Sequence, residues 1–254
     1  MAVLTGKIAL VTGASRGIGR ATALALSDAG AAVYLAADGT RDELSAVAAE
    51  CRARNAFARA EFGLFELSDA EDVQRMVDAA LATFGRIDIL VNNAGMRIRH
   101  PFGEYSAADF DKLVAVNVRA PFLASQAVVP SMRANGGGRI ISVASQNGII
   151  ATANSALYGL SKAALIYLTK AMALELARDK IMVNAVSPGP IETEFTRGRM
   201  EREPGHREAR AARIPLGRWG TPEEVAAAIL FLAATDATFV HGENLVIDGG
   251  YIVQ

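Results

Sequence analysis

The chain has 254 residues, 51% of them hydrophobic, with a formal net charge of −1, one cysteine and three histidines. That length suits one α/β domain with a full core, and so balanced a charge gives no electrostatic basis for binding nucleic acid or an anionic membrane. A lone cysteine excludes an internal disulfide, no metal-ligand spacing appears, and neither an uncharged apolar run of eighteen residues nor a signal peptide is found, so a cytoplasmic protein with no metal and no membrane partner is expected.

Lys7–Thr12 is a short apolar, β-rich run that reads as a buried strand, with Ile8–Thr12 as its centre. It enters the turn Gly13-Ala14-Ser15-Arg16-Gly17-Ile18-Gly19, and Arg20–Ala29 then reads as helix. Further strands are expected at Ala32–Ala36, Phe62–Leu67, Ile87–Val91, Arg139–Ala144, Met182–Val186 and Asn244–Ile247. Helices are expected at Arg41–Arg54, at Ala70–Thr83 with Ser68 as N-cap and Glu71 completing a capping box, and at Ala107–Met132, bent or broken near Pro121 and Pro130. Two more follow, Ala156–Ala177 and Pro222–Leu232, the second capped by Thr221 with proline just inside its start. Strands alternating with helices predict a single α/β domain over residues 1–254, built on a doubly wound, mostly parallel sheet of about seven strands. Residues 192–220 break the rhythm: they are arginine-rich, carry Pro204, Gly205 and Pro215, and follow the sixth strand at the sheet's carboxyl edge.

Four patterns carry chemistry. A strand, a glycine-rich turn and a helix form a phosphate site, because the helix N-terminus presents free N–H groups and glycine lets the backbone approach closely. Asn92-Asn93-Ala94-Gly95 ends a strand at the edge where ligands bind in open α/β sheets; an ordinary turn would use the same residue types. Ser145 ends the fifth strand, thirteen residues before Tyr158. Tyr158 and Lys162 stand four residues apart and so share a helical face. A free phenol has a pKa of about 10 and is a poor base at neutrality, but a nearby cation favours the phenolate. Tyr158 is thereby a candidate acid/base for an alcohol or ketone.

Thr12-Gly13-x-x-x-Gly17-x-Gly19, Asn92-Asn93-Ala94-Gly95, Asn117, Ser145 and Tyr158-x-x-x-Lys162 together resemble the classical short-chain dehydrogenases/reductases. Ser187-Pro188-Gly189-Pro190-Ile191-Glu192-Thr193 is similar to that family's nicotinamide-side segment, and Asp248-Gly249-Gly250 to its C-terminal strand exit. The resemblance spans the chain in order. It implies a Rossmann-type fold and hydride transfer between a nicotinamide cofactor and a secondary alcohol or ketone. It gives Tyr158 the proton transfer, Lys162 the phenolate and the nicotinamide ribose, Ser145 the substrate oxygen, and Asn117 a water linking the lysine to solvent. It implies that Gly13, Ser15, Arg16, Gly17, Ile18, Gly19, Asp38, Glu66, Leu67, Asn93, Ala94, Gly95, Tyr158, Lys162, Pro188, Gly189, Ile191 and Thr193 hold the cofactor, that residues 192–220 form a substrate lid, and that the chain forms a homotetramer.

Asp38, about twenty residues beyond the glycine turn, favours NAD through a ribose 2′-hydroxyl, although Arg16 in the turn is where NADP-using members often place a base. At the adenine pocket the family's Asp is replaced by Glu66, followed by Leu67. Substrate contacts are expected from Ser145, Gln146, Arg97, Arg99 and Tyr158. The arginines, with His100, Arg197 and Arg199, suit a carboxylate and point to a sugar, sugar acid or other hydroxy or keto acid. An NADPH-dependent 3-oxoacyl-(acyl carrier protein) reductase and a non-catalytic dinucleotide-binding protein are the alternatives.

Overall fold

The computed structural model describes residues 3–54, 59–194, 196–198, 203, 205–234 and 238–253. Seven strands form one parallel sheet in the order β3-β2-β1-β4-β5-β6-β7. They are β1 (Ile8–Thr12), β2 (Ala32–Ala37), β3 (Ala60–Leu64), β4 (Ile89–Asn92), β5 (Gly138–Val143), β6 (Ile181–Pro188) and β7 (Asn244–Ile247). The helices are α1 (Gly17–Asp28), α2 (Arg41–Arg54), α3 (Ala70–Phe84), α4 (Ala107–Val114), α5 (Ala120–Ala134), α6 (Ala156–Leu176), α7 (His206–Ala211) and α8 (Pro222–Ala234).

The central strands read as continuous apolar runs because helices cover both faces of the sheet. One face packs Leu24 and Leu26 of α1, Leu44 and Val47 of α2, and Val225 and Ile229 of α8 against β1 and β2. The other packs Val73 and Met76 of α3, Val128 and Met132 of α5, and Leu176 of α6 against β1, β4 and β5. Each fully buried large side chain contributes about 1.5–3 kcal/mol by leaving water. Strand order reverses between β1 and β4, and the crevice outside the strand ends at such a switch point is where ligands bind.

Several boundaries differ from the sequence reading. β3 ends at Leu64, because the backbone leaves the ladder after Phe65 N–H donates to Ala37 and turns through Glu66 and Asp69. β4 starts at Ile89, since Ile87 N–H is taken by the Ser131 hydroxyl. The cap of α3 is Asp69, whose carboxylate accepts from Glu71 N–H, while the Ser68 hydroxyl donates to Glu66. Thr221 caps α8 as expected, and Glu224 reaches back to its N–H at 2.9 Å.

The long helix is interrupted at Ala115–Arg119, where one π-helical turn joins α4 to α5. Pro121 sits in the first turn of α5, where its missing N–H costs little, and Pro130 lies inside that helix. The run Ala107–Ala134 is long and apolar enough to cross a membrane. Here its apolar face is spent on the core through Leu113, Ala124, Val128 and Met132.

Candidate active site

The glycine turn leaves β1 through Gly13, at φ 63°, and Gly17, at φ 54°, both left-handed conformations that favour glycine. A Cβ on Gly13 would lie 2.9 Å from the Ala94 backbone. A Cβ on Gly19 would lie 2.1 Å from the Gly13 carbonyl oxygen, so that residue closes the turn rather than lining the cleft. Asn93 staples the turn to the end of β4. Its amide donates to Thr12 and Gly13 carbonyls at 2.8 and 3.1 Å, and the Thr12 hydroxyl accepts from Asn93 and Ala94 N–H groups at 3.0 Å. Asn92 is buried and donates to the Ser125 hydroxyl, which is a structural role. The Asn-Asn-Ala-Gly turn therefore holds two strand exits together.

Beside the turn opens a cavity of about 370 Å³. Gly13, Ser15, Arg16, Gly17 and Ile18 line one end, Asp38, Glu66 and Leu67 the exits of β2 and β3, and Asn93, Ala94, Gly95, Tyr158, Lys162 and Thr193 the other end. No side chain among the described residues caps the N-terminus of α1, so its first N–H groups have no side-chain acceptor there. A dinucleotide's pyrophosphate fits such a cradle. The Asp38 carboxylate is exposed and makes no hydrogen bond or ion pair among the described residues. Glu66 instead accepts from Ser68 N–H and hydroxyl, which hold its carboxyl below the usual range. Lys112 and Met96 also line this cavity; nothing in their local sequence marks them.

A second cavity, of about 620 Å³, shares Ile18, Tyr158, Lys162 and Thr193 with the first. Ser145, Gln146, Pro188, Gly189, Ile191, Arg97 and Arg99 line it, with Asn147, Thr152, Asn154, Arg210 and Trp219, which the sequence reading did not select. His100 lies outside its wall, where it faces Asp109 at 3.9 Å and the Tyr105 ring. Arg197 is exposed and off both walls, and Arg199 lies outside the described residues.

Tyr158 and Lys162 sit on the first turns of α6, facing the end of β5. Lys162 is 4% exposed, and its ammonium donates to the Val143 carbonyl at 2.7 Å. Burial pushes its pKa below the ordinary lysine value; the neighbouring Tyr158 opposes that shift and Arg97 adds to it. Its nitrogen is 5.8 Å from the Tyr158 ring centroid. The Arg97 guanidinium lies closer over the same ring, 4.4 Å from the centroid. Ser145 is buried at the mouth of β5, where its hydroxyl oxygen accepts from Asn147 N–H at 3.1 Å.

Asn117 does not reach either cavity. It lies in the π-helical turn, fully buried, where its Oδ1 accepts from Met96 N–H at 2.8 Å and its Nδ2 donates to the Met96 carbonyl and the Ser161 hydroxyl. A Cβ on Gly95 would lie 3.4 Å from both Asn117 Oδ1 and Lys162 Nζ, which puts the three residues in one cluster.

Of the residues after β6, Ile191 bridges to Gly220, and Glu192 pairs with Arg207 of α7. The Trp219 indole donates to the Arg207 carbonyl at 3.0 Å. The described parts of the 192–220 segment are thus closed on themselves at its base, beside the larger cavity. Cys51 lies away from both cavities, and burial pushes its thiol up to about 11.

A parallel sheet whose switch point carries a glycine turn and an uncapped helix defines the Rossmann-type dinucleotide-binding class. The family model described as enoyl-(acyl carrier protein) reductase matches residues 13–252. A 3-oxoacyl-[acyl-carrier-protein] reductase of Thermotoga maritima is 39% identical over 250 residues, covering 98% of this chain and 99% of its own. A D-threitol dehydrogenase of Mycolicibacterium smegmatis is 39% identical over 254 residues, covering 99% of this chain and 95% of its own. A solved structure of a putative NAD(P)-dependent gluconate 5-dehydrogenase from Beutenbergia cavernae, with bound NADP at low occupancy, superposes with a TM-score of 0.92 at 37% identity over 99% of this chain and 98% of that one. The chain belongs to the short-chain dehydrogenase/reductase family of oxidoreductases, which bind a nicotinamide cofactor.

Proposed function

We propose that this protein oxidises a secondary alcohol, or reduces the corresponding ketone, with Tyr158 as the acid/base. The observation that carries this reading is that Tyr158 and Lys162 line both cavities, at the seam between the cleft beside the glycine turn and the larger pocket. When bound, the nicotinamide supplies the hydride acceptor for the alcohol or the hydride donor for the ketone. In the oxidative direction the hydroxyl proton passes to the Tyr158 oxygen. In the reverse direction Tyr158 returns it to the carbonyl oxygen. Ser145 donates to the substrate oxygen and turns it toward the phenol. Lys162 and Arg97 place two cations beside that ring, so negative charge on the phenolate is stabilised where proton transfer needs it. Asn117 positions Lys162 through the Met96 backbone and Ser161.

The exposed carboxylate of Asp38 supports NAD over NADP, since it matches a ribose 2′-hydroxyl and repels a 2′-phosphate. Exposed Phe122, Tyr167 and Leu174 on α5 and α6 support a homotetramer. The segment 192–220, beside the larger cavity, is read as its lid.

The test is the absorbance of the reduced cofactor across alcohols, polyols, ketones and keto acids, with NAD and NADP compared by kcat/KM. Turnover with NAD preferred supports both assignments. A strong NADPH preference overturns the cofactor choice, and no turnover of any class overturns the enzyme reading.

A further inference from the structure

The larger cavity holds polar groups that proton transfer leaves unused. Arg97 forms no ion pair among the described residues, its Nε is buried without an acceptor, and its guanidinium lies over Tyr158. Gln146 is 2% exposed, and its Oε1 accepts no hydrogen bond. Asn147 is 6% exposed; its Oδ1 accepts from the Thr152 hydroxyl, which leaves Nδ2 as a buried donor with no acceptor. A buried polar group left unpaired costs about 1–3 kcal/mol, and more when charged. Three such groups on residues that line one cavity describe the ligand that would pair them.

Each group states a requirement. A guanidinium Nε–H without an acceptor suits a carboxylate, the group arginine pairs with best. An amide oxygen requires a donor, and an amide N–H an acceptor; a hydroxyl serves either. Arg97 lines this cavity and forms no ion pair among the described residues, so an anion is favoured beside it over a neutral or cationic group. A fatty acyl chain answers none of these groups.

Resting on the assignment of Tyr158 above, we infer that the substrate is a short polyhydroxylated carboxylic acid, its carboxylate held by Arg97 and a hydroxyl beside the reacting carbon held by Gln146 and Asn147. Oxidation removes the carbinol hydrogen as hydride to the oxidised nicotinamide and the hydroxyl proton to Tyr158, leaving a keto acid. Arg97 then has two duties, since the cation that anchors the carboxylate also faces the phenol. Anchoring there brings the acid's carbinol toward Tyr158 and Ser145, so the carboxylate contributes orientation as well as affinity.

The test compares aldonates of four to six carbons with the alditols of the same configuration, in the wild type, Arg97→Met, Arg97→Lys and Gln146→Leu. The wild type should show kcat/KM for the best aldonate about 10- to 100-fold above its alditol, the range of one hydrogen-bonded charge. In Arg97→Met that ratio should fall to about one, and Arg97→Lys should restore part of it. Gln146→Leu should lower kcat/KM for a polyhydroxylated acid more than for its analogue lacking the neighbouring hydroxyl. Nucleotide fluorescence and thermal melting report whether each variant is folded and binds the dinucleotide. A wild-type ratio of one or below, or an Arg97→Met chain that keeps the ratio, overturns this inference and leaves the oxidoreductase reading standing. Absence of turnover on both series and on simple ketones removes that reading, and this inference with it.

Discussion

Tyr158→Phe removes one oxygen and leaves the ring in place. The contacts of that ring with Arg97, at 4.4 Å, and Lys162, at 5.8 Å, do not require the hydroxyl. The phenol oxygen is also absent from the chain's hydrogen bonds to described residues, so its loss leaves no buried partner unpaired. Stability should therefore change by no more than about 0.5 kcal/mol. The glycine turn is untouched, so the dissociation constant for the dinucleotide should stay within about threefold, or ~0.7 kcal/mol. Turnover is a different matter. A positioned acid/base contributes about 10²- to 10⁴-fold, and at about 1.36 kcal/mol per decade its loss raises the barrier by roughly 3–5 kcal/mol. The assay is cofactor absorbance under saturating dinucleotide with the best substrate of the panel, alongside nucleotide fluorescence for binding. If Tyr158→Phe turns over within tenfold of the wild type while binding the dinucleotide normally, the proton is carried by another group and the reasoning fails.

Three further outcomes are expected. Asn117→Ala leaves the Met96 backbone groups and the Ser161 hydroxyl without their buried partner, so it should cost about 2–4 kcal/mol in urea unfolding; a cost below about 0.5 kcal/mol contradicts a positioning role. Asp38→Asn should shift the kcat/KM ratio of NAD to NADP toward NADP by about tenfold, ~1.4 kcal/mol, through lost repulsion and a weaker ribose contact, and an unchanged ratio removes Asp38 from cofactor choice. Burial lowers the pKa of Lys162 from its ordinary 10.5. Above the lowered value the unfolded chain binds a proton that the folded chain lacks, so this residue makes stability rise with pH up to about 10.5. Lys162→Met should lack that rise in urea unfolding of the dinucleotide-free protein, and equal slopes in the two chains contradict it.

How much of this was legible in the sequence follows from where each feature gets its energy. β1, β2, β5 and β6 are buried on both faces, so their apolar runs mark them to within about two residues. β3 is an edge strand, and the apolar residues beyond it, Phe65 and Leu67, leave the sheet to cover the face under α3; composition cannot separate a strand from its exit. Ser68 and Asp69 are both good caps, and only the claim of Glu66 on the Ser68 hydroxyl decides between them. The π-helical turn has no local signature, and the two prolines that mark a break in the sequence fall beyond it.

The site shows the same division more sharply. Spacing alone predicts that Tyr158 and Lys162 share a helical face, with the lysine cation near the phenol. The structure gives the ammonium to the Val143 carbonyl. That bond has a physical reason: a buried lysine needs an acceptor, and Val143 ends β5 immediately before the strand exit that carries Ser145. The lysine thus ties α6 to the strand end, fixing the distance between the phenol's helix and the serine's loop. Of the two cations over the phenol ring, the nearer is Arg97, sixty-one residues earlier in the chain. No local pattern relates the two. They meet because β4 and β5 are neighbours in register, Val91 beside Ile141, so that residues after the Asn-Asn-Ala-Gly turn and residues of α6 share one edge of the sheet. Motifs in the sequence name the groups that do the chemistry, and sheet register decides which charge stands beside them.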